Sequence, residues 1–349
     1  MTSDEQFIRR CFDLARLGAG AVSPNPMVGA VLAHAGRIIG EGWHRQYGQA
    51  HAEVNAMNAV APADRRLIPQ ATLYCSLEPC FHYGKTPPCV DLILENNIPE
   101  LVVANTDPNP LVGGRSLQKM RAAGVSVRDG VLEAEGRDLN RAFFTWIEHA
   151  RPHIILKWAQ SADGYLGRRG ERTAISGALA QRLVHRWRSE CDAILVGTNT
   201  ALADNPRLDN RLWFGKKPLR IALDFKGKIP PEAHLLDDSA PSWIPGPQRS
   251  GAWRQTIFPD INPSNWIPEL LQELKTANRA ILLVEGGAHI LQQFLDLALW
   301  DEIRVVENPQ RLGGGVAAPA PPAHATLREC FRVENDRVQI FVRGNEKST

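Results

Sequence analysis

Apolar residues near the start of the chain fall at Phe7, Ile8, Cys11, Phe12, Leu14 and Ala15, a spacing that predicts an amphipathic helix. Ser23-Pro24-Asn25-Pro26 breaks it. The apolar run Val28–Ala33 and the segment Arg37–Gly40 predict a two-stranded hairpin. A helix is expected to begin near His51 and to carry Val54, Met57 and Ala59 inward. Thr72–Leu77 reads as a buried strand, Cys89–Asn96 as a helix and Leu101–Ala104 as another strand. Leu117–Ala123 followed by Val125–Val127 repeats the helix-then-strand pattern, and a further helix is expected over about 137–148. Such alternation predicts an α/β domain with one sheet and helices packed on its faces.

Arg151-Pro152 marks the expected boundary, dividing the chain into domains 1–149 and 150–349. No Gly/Ser-rich linker lies there, so the domains are expected to pack together rather than hang on a tether. Beyond it, strands are expected at His153–Trp158, Ala193–Val196, Leu219–Leu223, Ala280–Val284, Glu302–Val306 and Val338–Val342. Helices are expected at Leu179–Ser189 and Ile290–Leu297. Six prolines between Asp237 and Pro268 predict long loops with edge strands, and 311–323 reads as a Gly/Pro/Ala loop. No internal repeat is visible.

A length of 349 residues exceeds what one core usually supports, which agrees with two domains. Forty Lys plus Arg against 38 Asp plus Glu leave a formal charge of +2, which argues against a broad nucleic-acid footprint while allowing a basic pocket for one phosphate. The first 18 residues mix charges with apolar positions and lack the core of a signal peptide, and no run of 18 apolar residues suggests a membrane span. Six scattered cysteines fit a reducing cytoplasm and a metal site better than a disulfide scaffold.

The most informative residues are His51-Ala52-Glu53, Glu78-Pro79-Cys80 and Cys89. One imidazole and two thiolates can hold Zn2+ with its fourth position open, which lowers the pKa of water there towards about 7. Residues i and i+2 of a helix are about 200° apart, so His51 and Glu53 cannot both ligate from one face. Glu53 is instead expected beside the water as proton shuttle. Cys80, after Pro79 at an expected helix start, is placed where a thiolate is favoured. Cys75 reads as a core residue, and Cys11, Cys191 and Cys330 have no partner pattern.

Zinc nucleobase deaminases carry His-x-Glu and then Pro-Cys-x-x-Cys. Here the second half differs, with eight residues, Phe81–Pro88, between Cys80 and Cys89. Together with Pro24–Ala30, His51–Glu53 and Asp107-Pro108-Asn109-Pro110, this spacer resembles the bifunctional riboflavin-biosynthesis deaminase–reductases. The resemblance implies a cytidine-deaminase-like three-layer α/β/α domain followed by a dihydrofolate-reductase-like α/β domain. It also implies substrate contacts at Asn25, His44, Asp107 and Asn109, and the polar spacer residues His82 and Lys85 are read the same way.

In the second half, Arg151–Lys157 with Ser161–Gly164, Ala193–Thr200 with Asp204–Leu208, and Leu283–Ala288 resemble three blocks of that family's reductase. A strand ending at Gly286-Gly287 before a helix lets backbone approach a phosphate, although no G-x-G-x-x-G occurs. The resemblance implies NADPH as cofactor, contacted by Ala159, Ala174, Thr200, Asp204, Gly286, Gly287 and Ala288. It further implies a pyrimidine ribosylamino 5'-phosphate held by Arg188, Leu208 and Arg211, with Lys157 and Glu285 near the reacting carbon. Relatives are expected to assemble as homo-oligomers. Where many relatives have Ser-x-Trp, this chain has Arg172-Thr173-Ala174. Two other readings compete with the bifunctional enzyme. One makes the second half a non-catalytic nucleotide-binding or regulatory module. The other makes the first an RNA-editing deaminase, which the near-zero charge and the spacer disfavour.

Overall fold

The computed structural model describes residues 2–81, 88–110, 112–249, 251 and 254–344, and the chain divides into two compact units, Met1–Arg151 and Pro152–Thr349.

The first unit runs α1 (Ser3–Arg16), β1 (Gly29–His34), β2 (Arg37–Trp43), α2 (Ala52–Asn58), β3 (Thr72–Leu77), α3 (Cys89–Glu95), β4 (Glu100–Asn105), α4 (Arg115–Ala122), β5 (Ser126–Arg128), α5 (Glu133–Leu139) and α6 (Arg141–Glu148). Its sheet has the order β2-β1-β3-β4-β5, antiparallel between β2, β1 and β3 and parallel from β3 to β5. Alternation along β1 decides the layers. Ala30 and Leu32 pack with Ala56, Ile93 and Leu117 on one face, while Val31 and Ala33 meet Ile8, Cys11 and Phe12 on the other. The result is the expected α/β/α sandwich.

Two details differ from the sequence expectation. The helix beginning after His51 turns Ala52, Glu53, Ala56 and Met57 inward, whereas Val54 is half-buried and Ala59 exposed. Its inward stripe is therefore rotated, because His51 lies outside the helix as its N-cap residue. The helix expected over 137–148 is two helices broken at Asn140, whose buried amide is bonded to the Met27 backbone.

The second unit contains β6 (His153–Ser161), β7 (Tyr165–Gly167), α7 (Ala178–Glu190), β8 (Ala193–Val196), α8 (Thr198–Asp204), β9 (Leu219–Ala222), β10 (Ser242–Trp243), β11 (Thr256–Ile257), α9 (Trp266–Thr276), β12 (Ile281–Val284), α10 (Ala288–Asp296), β13 (Glu302–Asn308), β14 (Val316–Ala317), β15 (Ala325–Val333) and β16 (Asp336–Arg343). A nine-stranded sheet has the order β11-β10-β9-β8-β12-β6-β13-β16-β15, parallel from β11 to β13 and antiparallel from there to β15. Its strands β8 and β12 are apolar along their whole length because helices cover both faces. Trp266 and Leu270 of α9 and Leu291 and Phe294 of α10 pack on one side. Val184 and Trp187 of α7 pack on the other, against Val306 and Val338. Helix α9 begins at the end of the proline-rich stretch read as loops, with Pro268 in its first turn, where a missing N–H costs nothing. Strand β15 also went unpredicted. It is an edge strand, largely exposed, so its sequence has no buried stripe to betray it.

Candidate active sites in the two units

In the first unit the ends of α2, β3 and α3 converge. His51 precedes α2, Cys80 follows β3, and Cys89 is the first residue of α3. The helix start expected at Cys80 therefore lies at Cys89 instead. Cys80 still gains from it, since the Cys89 N–H donates to its sulfur at 3.2 Å. His51 Nδ1 is 3.4 Å from Cys80 Sγ and 3.5 Å from Cys89 Sγ. Tetrahedral zinc with Zn–S of about 2.3 Å and Zn–N of about 2.0–2.1 Å needs N···S separations of about 3.5 Å, so the donor atoms fit the ion. All three lie within 4.8 Å of one another. The thiol of Cys89 donates to Cys80, which with His51 outweighs burial and holds Cys80 down at about 4, while that donation and burial push Cys89 up.

Glu53, in the first turn of α2, is 3% exposed and, with His51 and Cys80, borders a cavity of about 270 Å³. Burial, with the negative charge of Cys80, raises its carboxyl above the usual range, against His51. Asn25, His44, Asp107 and Asn109 also line this cavity. Burial lowers the pKa of His44, and its Nδ1 lies 3.1 Å from the Ala50 carbonyl. That contact assigns the proton to Nδ1 and leaves Nε2 to accept from Asn25 Nδ2 at 3.3 Å. His82 and Lys85 lie outside the described residues. Cys75 is fully buried in β3, as expected of a core residue.

Sequence reasoning missed what supports these groups. Glu78, quoted only as part of a motif, accepts from the amides of Asp107 (3.1 Å), Gly114 (2.8 Å) and Ser116 (3.2 Å), and from the Ser116 hydroxyl. It thereby ties the turn bearing Asp107 and Asn109 to the strand leading to Cys80. The Glu-Pro-Cys run held that signal, because a buried carboxylate beside a ligand needs donors. Phe143, Trp146 and Ile147 of α6 also line the cavity.

In the second unit, clefts of about 450 and 1070 Å³ lie where β6, β8 and β12 end. Thr200, Asp204 and Gly287 border both, Ala159 and Ala174 the smaller, and Ala288 the larger. Gly287 caps α10 and donates its N–H to Thr200 Oγ1 at 2.9 Å. Gly286 is not in either wall. A Cβ there would sit 2.8 Å from the Gly197 nitrogen, so this glycine serves the close approach of β12 to the end of β8. Leu208, 2% exposed, holds φ of 48° at the smaller cleft.

Lys157 and Glu285, from neighbouring strands, stand 3.9 Å apart. Arg188 lines the smaller cleft and meets a carboxylate there. Its Nε and Nη2 donate to the two Glu285 oxygens at 2.8 and 2.7 Å, and its Nη1 to the Asp209 carbonyl at 3.1 Å. The fork read as a phosphate clamp is thus closed on a buried carboxylate. Burial would raise Glu285, but Arg188 and Lys157 prevail and hold it at about 2. Burial, with Arg188, lowers Lys157, against the pull of Glu285. Arg211 also borders the cleft, more than half exposed and paired with Asp209. Arg172 and Ala174 occupy the same wall, and the Arg172 charge opposes a burial-driven rise at Asp204. His185, unremarked in the sequence, lines this cleft too, and burial with Arg188 and Arg211 lowers its pKa to about 4.

The family model described as the cytidine and deoxycytidylate deaminase zinc-binding region matches residues 1–105, and that of the RibD C-terminal domain matches residues 152–342. The riboflavin biosynthesis protein RibD of Aquifex aeolicus is 37% identical over 347 residues, covering 96% of this chain and 95% of its own. The chain belongs to the RibD family. RibD of Bacillus amyloliquefaciens is 36% identical over 90% of this chain and 86% of its own. Among solved structures, Acinetobacter baumannii RibD matches with a TM-score of 0.89 at 31% identity, covering 98% of this chain and 99% of that one. A Thermotoga maritima diaminohydroxyphosphoribosylaminopyrimidine deaminase/5-amino-6-(5-phosphoribosylamino)uracil reductase gives the same TM-score, identity and coverage. Membership of the RibD family makes this a bifunctional enzyme of riboflavin biosynthesis, deaminating and reducing, with Zn2+ and NADPH as cofactors. It favours catalysis in the second unit over a non-catalytic module. Among the described residues no helix is long and apolar enough to cross a membrane.

Proposed function

We propose that residues 1–149 deaminate a 2,5-diamino-6-ribosylamino-pyrimidinone 5'-phosphate and that residues 150–349 reduce the product's ribosyl group to ribityl. The observation that carries the first step is the His51–Cys80–Cys89 triangle, sized for zinc, with buried Glu53 in the same cavity. Zinc bound by these three residues supplies the Lewis acidity that lets water ionise near neutral pH. Glu53 carries one proton of the attacking water to the ring nitrogen beside the reacting carbon and the other to the departing amino group, which leaves as ammonia while the ring carbon becomes a carbonyl. Its raised pKa suits a group that must both take and give a proton. Asn25, His44, Asp107 and Asn109 orient the ring and its substituents, and His82 and Lys85 complete the contacts.

NADPH supplies the hydride for the second step. Thr200, Asp204, Gly287, Ala288, Ala159 and Ala174 hold the cofactor, with Gly286 letting the chain turn behind it. Lys157 donates the accompanying proton, which burial makes easier to release. Glu285 stays ionised and, with Arg188, fixes the position of the ammonium group. Leu208 and Arg211 meet the sugar phosphate, Arg211 being the guanidinium left near solvent. Arg172 adds positive charge on the cofactor side.

The near balance of 40 basic and 38 acidic residues supports a small-molecule substrate and no nucleic-acid partner. The cysteine usage supports the cytoplasm, and the family resemblance supports a homo-oligomer, which light scattering would measure. The test of the whole reading is zinc content together with ammonia release and NADPH oxidation. One zinc per chain with both turnovers is expected, and ammonia release without zinc would contradict it.

A further inference from the structure

We infer that the apolar face of α6 is the surface against which the substrate's pyrimidine ring packs, so that Phe143 and Trp146 determine specificity in the first unit. This rests on the deaminase reading and adds a wall to it.

A diaminopyrimidinone is a flat ring with polar edges. The edges have partners in the cavity in Asn25, His44, Asp107 and Asn109, and the reacting carbon has Glu53, His51 and Cys80. The two faces of the ring need apolar contact. Among the described residues lining the cavity, the carbocyclic or indole rings are those of Phe143 and Trp146. The imidazoles do not offer a parallel pair for a ring to slide between, since His44 and His51 stand edge to face at an interplanar angle of 80°. Phe143, Trp146 and Ile147 are at i, i+3 and i+4, one stripe of the helix. Phe144, between them, is spent elsewhere, beneath the Arg137 guanidinium at 4.2 Å.

The wall is also held in register with the polar side of the cavity. Asn140, at the break before α6 and 3% exposed, accepts from the Met27 N–H at 2.8 Å and donates to the Met27 carbonyl at 2.9 Å. Met27 is two residues from Asn25. A single buried amide thus fixes the start of α6 against the segment that reads the ring edge, which is the arrangement a face-and-edge grip on one ring requires.

The test uses the full-length zinc enzyme with Phe143→Leu, Trp146→Leu and the conservative Trp146→Phe. Ammonia release gives KM and kcat, and calorimetry on the Glu53→Gln enzyme carrying each change gives substrate affinity without turnover. Loss of an aromatic face from a base is expected to raise KM and weaken affinity by about tenfold. The same variants should keep kcat within about threefold and bind one zinc per chain, while Trp146→Phe stays near the parent. Phe143 is half-buried, so its variant decides the matter if Trp146→Leu does not fold. The inference is overturned if both leucine variants keep KM and affinity within about twofold of the parent, or if kcat alone falls. A parent enzyme that binds zinc, takes up substrate and releases no ammonia would instead defeat the deaminase reading, and the wall with it.

Discussion

The two sites balance charge in opposite ways. In the first unit, among the described residues, two cysteines and a histidine crowd together with no cation of the protein between them, an arrangement completed by a metal ion from outside the chain. In the second, the charges of Lys157 and Arg188 converge on one carboxylate of the protein itself, Glu285, which Arg188 grips through two hydrogen bonds. A site of the first kind stands or falls with its metal. A site of the second kind is preorganised before any ligand arrives, and its charges support the fold as well as the chemistry. Perturbations of the two should therefore differ in what they remove.

The largest effect should come from the ligands. Cys80→Ser or Cys89→Ser should lose zinc, read by metal analysis of the purified protein, and with it all ammonia release, whereas Cys75→Ser should retain both. Full zinc occupancy in either ligand variant would remove the basis for the site. Next in size is Glu53→Gln, which should keep zinc and lose deamination by at least about 10²-fold, the low end for a positioned acid–base group. Reduction of supplied deaminated intermediate should continue at the parent rate.

Glu285→Gln sharpens the contrast, because it should damage stability and chemistry together. Leaving Arg188 and Lys157 buried without their counter-charge should cost about 3–5 kcal/mol in a denaturant titration of the second unit. NADPH oxidation should fall with it and ammonia release should not. The pH dependence has a definite sign. Glu285 is held at about 2, below its ordinary value, so its contribution is complete above about pH 5 and is lost as pH falls towards 2. That contribution is on the order of 3 kcal/mol. Parent and Glu285→Gln should differ in stability at neutral pH and converge in acid; a constant difference would place the stabilisation elsewhere. The smallest effect belongs to Arg211→Ala. This exposed side chain should change KM for the deaminated intermediate by about threefold and leave stability unchanged.

Much of the first site was legible because its chemistry is written in short contiguous runs. His51, Glu53, Cys80 and Cys89 are residue types that few structural roles would collect. What supports them was not legible, since Glu78 reaches Ser116 and Asn140 reaches Met27 across long stretches of chain, and no local pattern encodes such pairs. The second unit shows the same limit at a charged residue. Lys157 and Glu285 were placed together from the ends of neighbouring strands, but Arg188 was read as a phosphate clamp because a helix position alone does not reveal that a carboxylate lies within its reach. Glycine carries a similar ambiguity. Gly286 and Gly287 read alike in sequence, yet one serves strand packing and the other caps a helix at the cleft. Strand β15 was hidden for a simpler reason, since an edge strand exposed on most positions has no alternation to detect.

The central claim is that one chain carries two complete active sites, coupled by a product rather than by shared groups. It is tested most directly by following ammonia and NADPH together in one preparation given the diaminopyrimidinone ribosyl phosphate. The parent should release one ammonia and oxidise one NADPH per substrate. Glu53→Gln should do neither until deaminated intermediate is supplied, and should then oxidise NADPH at the parent rate. A parent enzyme that releases ammonia but oxidises no NADPH, even with intermediate present, would contradict the account and make the second unit a binding module.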